Sequence, residues 1–169
     1  QAYTLRSKSL AAQQCVNFYV ERSEVNPEQM ALYGTPGTRK LTTLPDTGGI
    51  RQLYTPSTGK AIAVQGNKVY RVDGNFNYTA VFGAELLSNS GYVCIADNGT
   101  VAVLVDGLHG YVLDLQTNLL TRIDNEAFYG ADRVGFIDGY FIFNKPNTQQ
   151  FYISSLYGTD FNALDFASA

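Results

Sequence analysis

The chain has 169 residues, is 45% hydrophobic and 16% charged, and carries a formal net charge of −3. That length suggests one domain, and the acidic balance leaves no general basic surface to hold nucleic acid by counterion release. No apolar run approaches the roughly 20 residues that span a membrane, and the first residues lack the basic-then-apolar pattern of a signal peptide.

Sixteen glycines, 12 tyrosines and 10 phenylalanines, with no tryptophan, point to an all-β chain of short strands and tight turns. Gln1 in place of Met implies trimming, natural or engineered. Residues 1–46 differ from the rest. They hold five of the twelve basic residues, Arg6, Lys8, Arg22, Arg39 and Lys40, and three of the five prolines, Pro27, Pro36 and Pro45. Cys15-Val16-Asn17-Phe18-Tyr19-Val20-Glu21 reads as a strand, and Ala31-Leu32-Tyr33 as a second, ended by Gly34-Thr35-Pro36-Gly37. Pro-Gly punctuation argues against helix. The expectation is an N-terminal extended arm with short strands that packs on, or completes, the fold of residues 47–169.

From Ile50 a repeated plan begins. The first unit predicts strands over 50–54, 61–64, 68–72 and 79–82, with a turn at Pro56-Ser57-Thr58-Gly59 and a tight hairpin at Gly66-Asn67. The second predicts strands over 92–96, 100–105, 111–115 and 119–123. The third predicts 133–137, 140–143 and 150–153, with a fourth near 163–166. Tyr70, Tyr111 and Tyr152 fall 41 residues apart, and Gly59, Gly99 and Gly139 fall 40 apart. A period of about 40 to 45 residues built from short strands is the signature of β-propeller blades. In such blades an innermost strand suits small and β-branched residues, and the second strand of each unit has that composition. The bland alternative is a β-sandwich with hairpins of similar length. Three blades cannot close a ring, which usually takes about four to eight. Residues 47–169 are therefore expected to form a partial propeller of about three four-stranded antiparallel blades, either a piece of a longer polypeptide or a subunit that needs partners.

Catalytic and metal chemistry is thinly provided. Asp97, Asp106, Asp114, Asp138 and Asp165 could be assembled into an acidic pair for glycoside hydrolysis. Asp97, Asp106 and Asp138, however, stand beside Gly or Asn at predicted turns, where a carboxylate caps backbone N–H groups. His109 is the single histidine, with no Cys or His at ligand spacing and no local Ser or Cys to activate. It reads as a solvent-facing turn residue. Cys15 and Cys94 read as buried free thiols, since a disulfide framework would need more cysteines. Gly34-Thr35-Pro36-Gly37 followed by Arg39-Lys40 lacks P-loop spacing and has no helix to supply a dipole. No cofactor, no metal site and no catalytic residue is assigned. Arg6, Lys8, Arg22, Arg39 and Lys40 form the candidate interaction arm, on which any incidental DNA contact would fall.

Several segments resemble the packaged-DNA stabilisation proteins, or tail accessory (tail-hub) proteins, of short-tailed bacteriophages. They are the segment from Cys15 to Glu21, Ala31-Leu32-Tyr33-Gly34-Thr35-Pro36-Gly37, Val69-Tyr70-Arg71-Val72 after its Gly-Asn turn, and Phe161-Asn162-Ala163-Leu164-Asp165-Phe166-Ala167-Ser168-Ala169. The resemblance implies a structural virion protein, made in the bacterial host cytoplasm. It would assemble as a ring on the portal complex with other tail proteins, help retain packaged DNA, and have no enzymatic activity and no membrane contact. Members of that family are considerably longer, so this chain would correspond to the N-terminal part of such a propeller. The competing expectation is a sugar-binding or glycosidase propeller, which rests on fold analogy and aromatic content.

Overall fold

The structure, a computed structural model, describes residues 17–22, 24–26 and 30–168. It divides into two compact units, Gln1–Lys40 and Leu41–Ala169. The described elements are all strands. In the first unit β1 (Phe18–Arg22) pairs antiparallel with β2 (Met30–Gly34), opposing Tyr19 to Tyr33 and Val20 to Leu32. The Tyr19 and Tyr33 rings stack at 5.9 Å, and the Thr35 N–H closes the hairpin on the Asn17 carbonyl at 2.8 Å.

The second unit contains three sheets. The first has the order β3 (Ile50–Tyr54), β4 (Ala61–Gln65), β5 (Lys68–Val72), β6 (Tyr78–Ala80). After the two-residue β7 (Phe82–Gly83) comes the second sheet, of β8 (Cys94–Asp97), β9 (Val101–Val105), β10 (Gly110–Asp114) and β11 (Leu119–Arg122). The third runs β12 (Val134–Ile137), β13 (Tyr140–Asn144), β14 (Gln150–Ser154), β15 (Phe161–Ser168). Consecutive strands within each sheet pair antiparallel, as tight turns dictate.

Two details depart from the sequence-based expectation. Residues 79–82 are not one strand: the chain breaks after Ala80, and β7 crosses to pair parallel with β11 of the following sheet. That sheet therefore has five strands rather than four. Gly83 permits the crossing. Its φ is +101°, and a Cβ there would strike the Leu120 carbonyl oxygen. The second correction concerns the small, β-branched strands. β4 and β9 are interior strands with a first strand outside them, and their apolar runs reflect burial on both faces rather than a place at an edge.

The repeated glycines and tyrosines each have a mechanical role. Gly59, Gly99 and Gly139 have φ of +80°, +86° and +86° in the turn leading into the second strand of each sheet. At Asp138-Gly139 both central residues lie at positive φ, the two-residue turn whose twist matches the strands it joins. Gly66, at φ +54°, leads the other two-residue hairpin. Tyr70, Tyr111 and Tyr152 are all buried on third strands, facing the preceding connector. The Tyr70 hydroxyl donates to Asp46 Oδ2 at 2.5 Å, the Tyr111 hydroxyl accepts the Leu87 N–H at 2.8 Å, and the Tyr152 hydroxyl donates to the Gly130 carbonyl at 2.7 Å. The partners lie 24, 24 and 22 residues upstream, so one hook recurs in each unit. A phenol spans from strand to connector, fills the space between, and satisfies a backbone or carboxylate group at its tip.

The core lies between the sheets. Ile62, Val64 and Val69 pack against Ile95, Leu104, Tyr111, Leu113 and Leu120 to make the first seam. On its far side the second sheet meets the third through Val103, Val105, Phe141, Phe143 and Tyr152. A smaller cluster of Leu44, Ala63 and Tyr70 covers the outer face of the first sheet.

Candidate functional site

The side-chain hydrogen bonds that cross between sheets are concentrated along the first seam. At one end of the first seam, Arg51 on β3 donates to three carbonyls: Gly91 from Nε (2.9 Å), and Gly66 and Ser88 from Nη1 (2.8 Å each). Its Nη2 donates to Ser88 Oγ at 2.9 Å. Ser88 Oγ in turn donates to Asp106 Oδ2, and Asp106 Oδ1 accepts the His109 N–H at 2.8 Å. The His109 ring is 34% exposed, with Nδ1 enclosed 3.6 Å from Asp106 Oδ1. Folding has thus brought a serine, a histidine and an aspartate into one neighbourhood, but the carboxylate sits between the other two. Hydrolytic triads need the imidazole in the middle, where it takes the hydroxyl proton. Here the Ser88 hydroxyl donates its hydrogen bond to Asp106 and not to the imidazole, and the cluster has the geometry of a strut between sheets.

At the other end of the first seam, Asp97 on β8 holds the preceding sheet. The Tyr54 hydroxyl donates to its Oδ1 at 2.6 Å, Ser57 donates from both N–H and hydroxyl, and the Gly99 N–H donates at 2.9 Å. Burial pushes this carboxyl upward, but the hydrogen bonds from Ser57, Tyr54 and Gly99 outweigh it, so the group stays below the ordinary 3.8. Burial, reinforced by the Asp97 bond, pushes the Tyr54 phenol up to about 12.

Arg71 on β5 is only 2% exposed. Its guanidinium donates to the Lys60 carbonyl, the Leu115 carbonyl (3.3 Å) and Asn118 Oδ1 (3.1 Å), again joining the first two sheets. Burial draws its pKa down, and no carboxylate opposes that shift. Arg51, Arg71, Ser88 and Tyr54 were not singled out from sequence. A cation inside the apolar run of β5 was the available signal, since an arginine at an inward strand position must find carbonyls or carboxylates.

The remaining acidic candidates serve their own turns. Asp114 accepts the N–H groups of Thr117 and Gln116 at 2.7 and 2.9 Å, and these bonds, Thr117 first, hold its carboxyl below the ordinary value. Asp138 is exposed at the turn before β13, and Asp165 is exposed on β15. Asp106 and Tyr111, on which a sugar-binding reading would lean, have side-chain and residue exposures of 1% and 0%. Among the described residues no three His, Cys, Asp or Glu side chains are grouped as a metal site would require. Cys94 is a free thiol, partly buried against β12, where its Sγ lies 3.6 Å from the Val134 carbonyl. Cys15 lies outside the described residues.

Of the candidate interaction arm, Arg6 and Lys8 also lie outside the described residues. Arg22, on β1, and Arg39 and Lys40, in the extended stretch after β2, are exposed, with no ion pair among the described residues. The surface depressions are small. One of about 190 Å³ is lined by Tyr129, Lys145, Gln150, Phe151, Tyr152 and Phe166, with Lys145 Nζ 4.0 Å above the Tyr129 ring. Another, of about 300 Å³, is lined by Phe151, Ile153, Leu164 and Phe166 and lies at the lower limit of the roughly 300–1,000 Å³ that small-molecule sites usually enclose.

Sheets of four and five strands, interlocked by β7 and stacked face to face in sequence order, make a β-propeller-like fold. A solved structure supports that class: the Pan2 WD40 domain of Neurospora crassa superposes with a TM-score of 0.52 at 10% identity, over 90% of this chain and 44% of that one. At that identity the likeness concerns the fold alone. This chain spans less than half the length of that neighbour. No family model and no curated protein matches the sequence.

Proposed function

We propose that this chain is a structural assembly module: three blades of a larger propeller in the tail of a short-tailed phage. There it is seated on the portal complex with other tail proteins and helps retain packaged DNA. The observation that carries the structural part is where its chemistry is spent. Arg51, Arg71, Ser88, Asp97 and Asp106, half-buried to buried, tie one sheet to the next or to the intervening connector, while the buried Gln65 and Ser154 brace their own sheets. Such use makes a stiff scaffold. The portal and DNA part is supported by the tail-hub-like motifs and by the exposed cations Arg22, Arg39 and Lys40, which are available for an acidic partner surface. The protein acts without a catalytic step or cofactor, in the virion, after synthesis in the host cytoplasm.

The test is co-sedimentation of the chain with purified portal complex at low and physiological salt, together with mass spectrometry of purified virions. Saturable binding that weakens in an Arg22→Glu, Arg39→Glu, Lys40→Glu variant is expected. A chain that neither binds portal nor occurs in virions would overturn the viral assignment.

A further inference from the structure

Four steps in this chain place an aspartate or asparagine directly before a glycine: Asp73-Gly74, Asn98-Gly99, Asp106-Gly107 and Asp138-Gly139. At such a step the backbone can rearrange on its own, because glycine has no Cβ to obstruct attack of its amide nitrogen on the preceding side-chain carbonyl carbon. Whether it does so depends on what holds that side chain, and the fold does not treat the four alike.

Three are tied down within their own turns. Asp73 Oδ1 accepts the N–H groups of Asn75 and Asn77, both at 2.9 Å. Asn98 Oδ1 accepts those of Thr100 and Val101 at 3.0 and 2.9 Å, and its Nδ2 donates to the Tyr157 carbonyl. Asp106 Oδ1 accepts the His109 N–H at 2.8 Å, and its Oδ2 accepts the Ser88 hydroxyl. Asp138 differs for a local reason. Its turn has only two residues, and Ile137 and Tyr140 on either side are already paired with each other. The N–H left inside the turn is that of Gly139, which is the attacking group. The Asp138 side chain thus has no turn N–H to cap. It is exposed and, among the described residues, makes no hydrogen bond. Asp138 also sits at φ +51°, a left-handed conformation that a residue with a Cβ occupies at a cost, and its own side chain does nothing to hold it there.

We propose that Asp138-Gly139 is a site of spontaneous isomerisation, a covalent modification that the fold confines to this one turn. The Gly139 nitrogen bonds to Asp138 Cγ, a Cγ–O bond breaks, and the departing hydroxyl leaves with the amide proton as water. Water then adds to the cyclic imide at the Asp138 main-chain carbonyl carbon, and the bond from that carbon to the Gly139 nitrogen breaks. The chain now runs through Cβ and Cγ, and the former main-chain carbonyl has become the free carboxylate. No atom is gained or lost, but the turn is longer by one methylene. That shift displaces the Gly139 carbonyl, which accepts the Tyr157 N–H at 2.6 Å. It also moves Gly139 away from Leu156, which packs so closely that a Cβ on the glycine would strike it. Tyr157 is the residue that Asn98 reaches across the second seam, so isomerisation loosens that end of the seam. The inference stands apart from the viral assignment.

The experiment holds the whole folded chain for weeks in neutral buffer at physiological temperature, beside a sample kept unfolded in urea. Both are then mapped by proteolysis and mass spectrometry with electron-transfer fragmentation, which tells isoaspartate from aspartate. The folded chain is expected to accumulate isoaspartate at position 138 and to stay unaltered at the other three steps, whereas in urea all four react. Asp138→Ser should abolish the product in the folded chain, and hydrogen exchange at the Tyr157 amide should be faster in the isomerised fraction. A folded chain that forms none at position 138 while the urea sample does overturns the proposal. So does a folded chain that reacts at all four steps, and unchanged exchange at Tyr157 overturns the loosening of the seam.

Discussion

The two seams of this molecule share a backbone plan and differ in the chemistry that closes them. The first is aliphatic in its middle, through Ile62, Val64, Ile95, Leu104 and Leu113, and is stapled at both ends by polar groups, Arg51 with Ser88 and Tyr54 with Asp97. The second is aromatic. Phe143 lies 5.2 Å from Tyr152, 5.3 Å from Phe161 and 5.8 Å from Phe128, with Phe136 and Phe141 alongside at 4.9 Å from each other. Its polar crossings are weaker: Asn98 Nδ2 to the Tyr157 carbonyl at 3.5 Å, Cys94 Sγ against the Val134 backbone at 3.5–3.6 Å, and the Arg133 guanidinium over the Tyr92 ring at 4.8 Å. Phe136, two residues past Val134 as Asp97 is two past Ile95, takes the place of Asp97 on the third sheet, and Asp138 in the following turn is exposed and staples nothing. A repeat can thus hold its strand geometry while each seam solves its own packing, because glycine turns and tyrosine hooks set the sheets and side-chain volume then sets the fit.

If that division is right, the seams should fail differently. The largest effect is expected at the aromatic seam. Phe143→Ala leaves a cavity among the rings of Tyr152, Phe161 and Phe128 and should cost about 3–5 kcal/mol in urea unfolding, whereas Leu53→Ala on the outer face of the first sheet, where the side chain is exposed, should fall within about 0.5 kcal/mol. Comparable losses at the two sites would mean that the open face is covered in solution. Next comes Arg71. Replacing it by Met removes charge-assisted bonds to the Lys60 and Leu115 carbonyls and to Asn118, at a cost of about 2 kcal/mol. Lysine should not restore it, because a point-like ammonium cannot reach carbonyls on two sheets at once. Full rescue by Arg71→Lys would show that charge, not the planar fork, matters there.

The polar seam should also be the acid-sensitive one. Asp97 has a folded-state pKa held below 3.8, so its contribution is fully present above that value and is lost as the pH falls through the lower folded value. Asp97→Asn is expected to lower stability by about 1 kcal/mol at pH 7. The gap between variant and parent should close on acidification below pH 3.8. Asp138→Asn should show neither effect. An Asp97 gap that persisted unchanged to pH 2 would indicate that its hydrogen-bond geometry, and not its charge, holds the first two sheets together.

Much of the sheet architecture was legible because its signals are local. Asp138-Gly139 and Gly66-Asn67 dictate two-residue turns through their backbone angles alone, and β9 reads as an unbroken apolar run because both its faces are covered. The β7 crossing was not legible. Residues 79–82 look like a continuous strand, and only the meeting of Gly83 with the Leu120 carbonyl, across the seam, shows why the chain leaves one sheet for the next. The Asp97 and Asp106 turns were readable, yet their second partners, Tyr54 and Ser88, lie 43 and 18 residues away, a relation that only packing creates. The exposed Arg22, Arg39 and Lys40 were visible as a basic cluster from composition, whereas the buried Arg71 hides inside an apolar strand.

The smallest expected effects test the register itself. Tyr→Phe at 70, 111 and 152 removes one hydroxyl each and keeps the ring, so packing is preserved while the hook is cut. The three should not respond equally. Tyr152→Phe strands the Gly130 carbonyl in a buried site, and burial already pushes that phenol's pKa well above the ordinary value. A cost of about 1–1.5 kcal/mol is expected there. Tyr111→Phe leaves the Leu87 N–H without its acceptor in a part-buried connector and should cost somewhat less, about 1 kcal/mol. Tyr70→Phe frees the half-buried Asp46 to turn toward water and should cost least, about 0.5 kcal/mol. Urea midpoints at constant slope would rank them. Three losses in that order would make the 41-residue tyrosine period a hydrogen-bonding device. Three neutral substitutions would show that the ring alone is what the repeat retains, and that the connectors are held by Leu44, Leu86 and Ala127 beneath them.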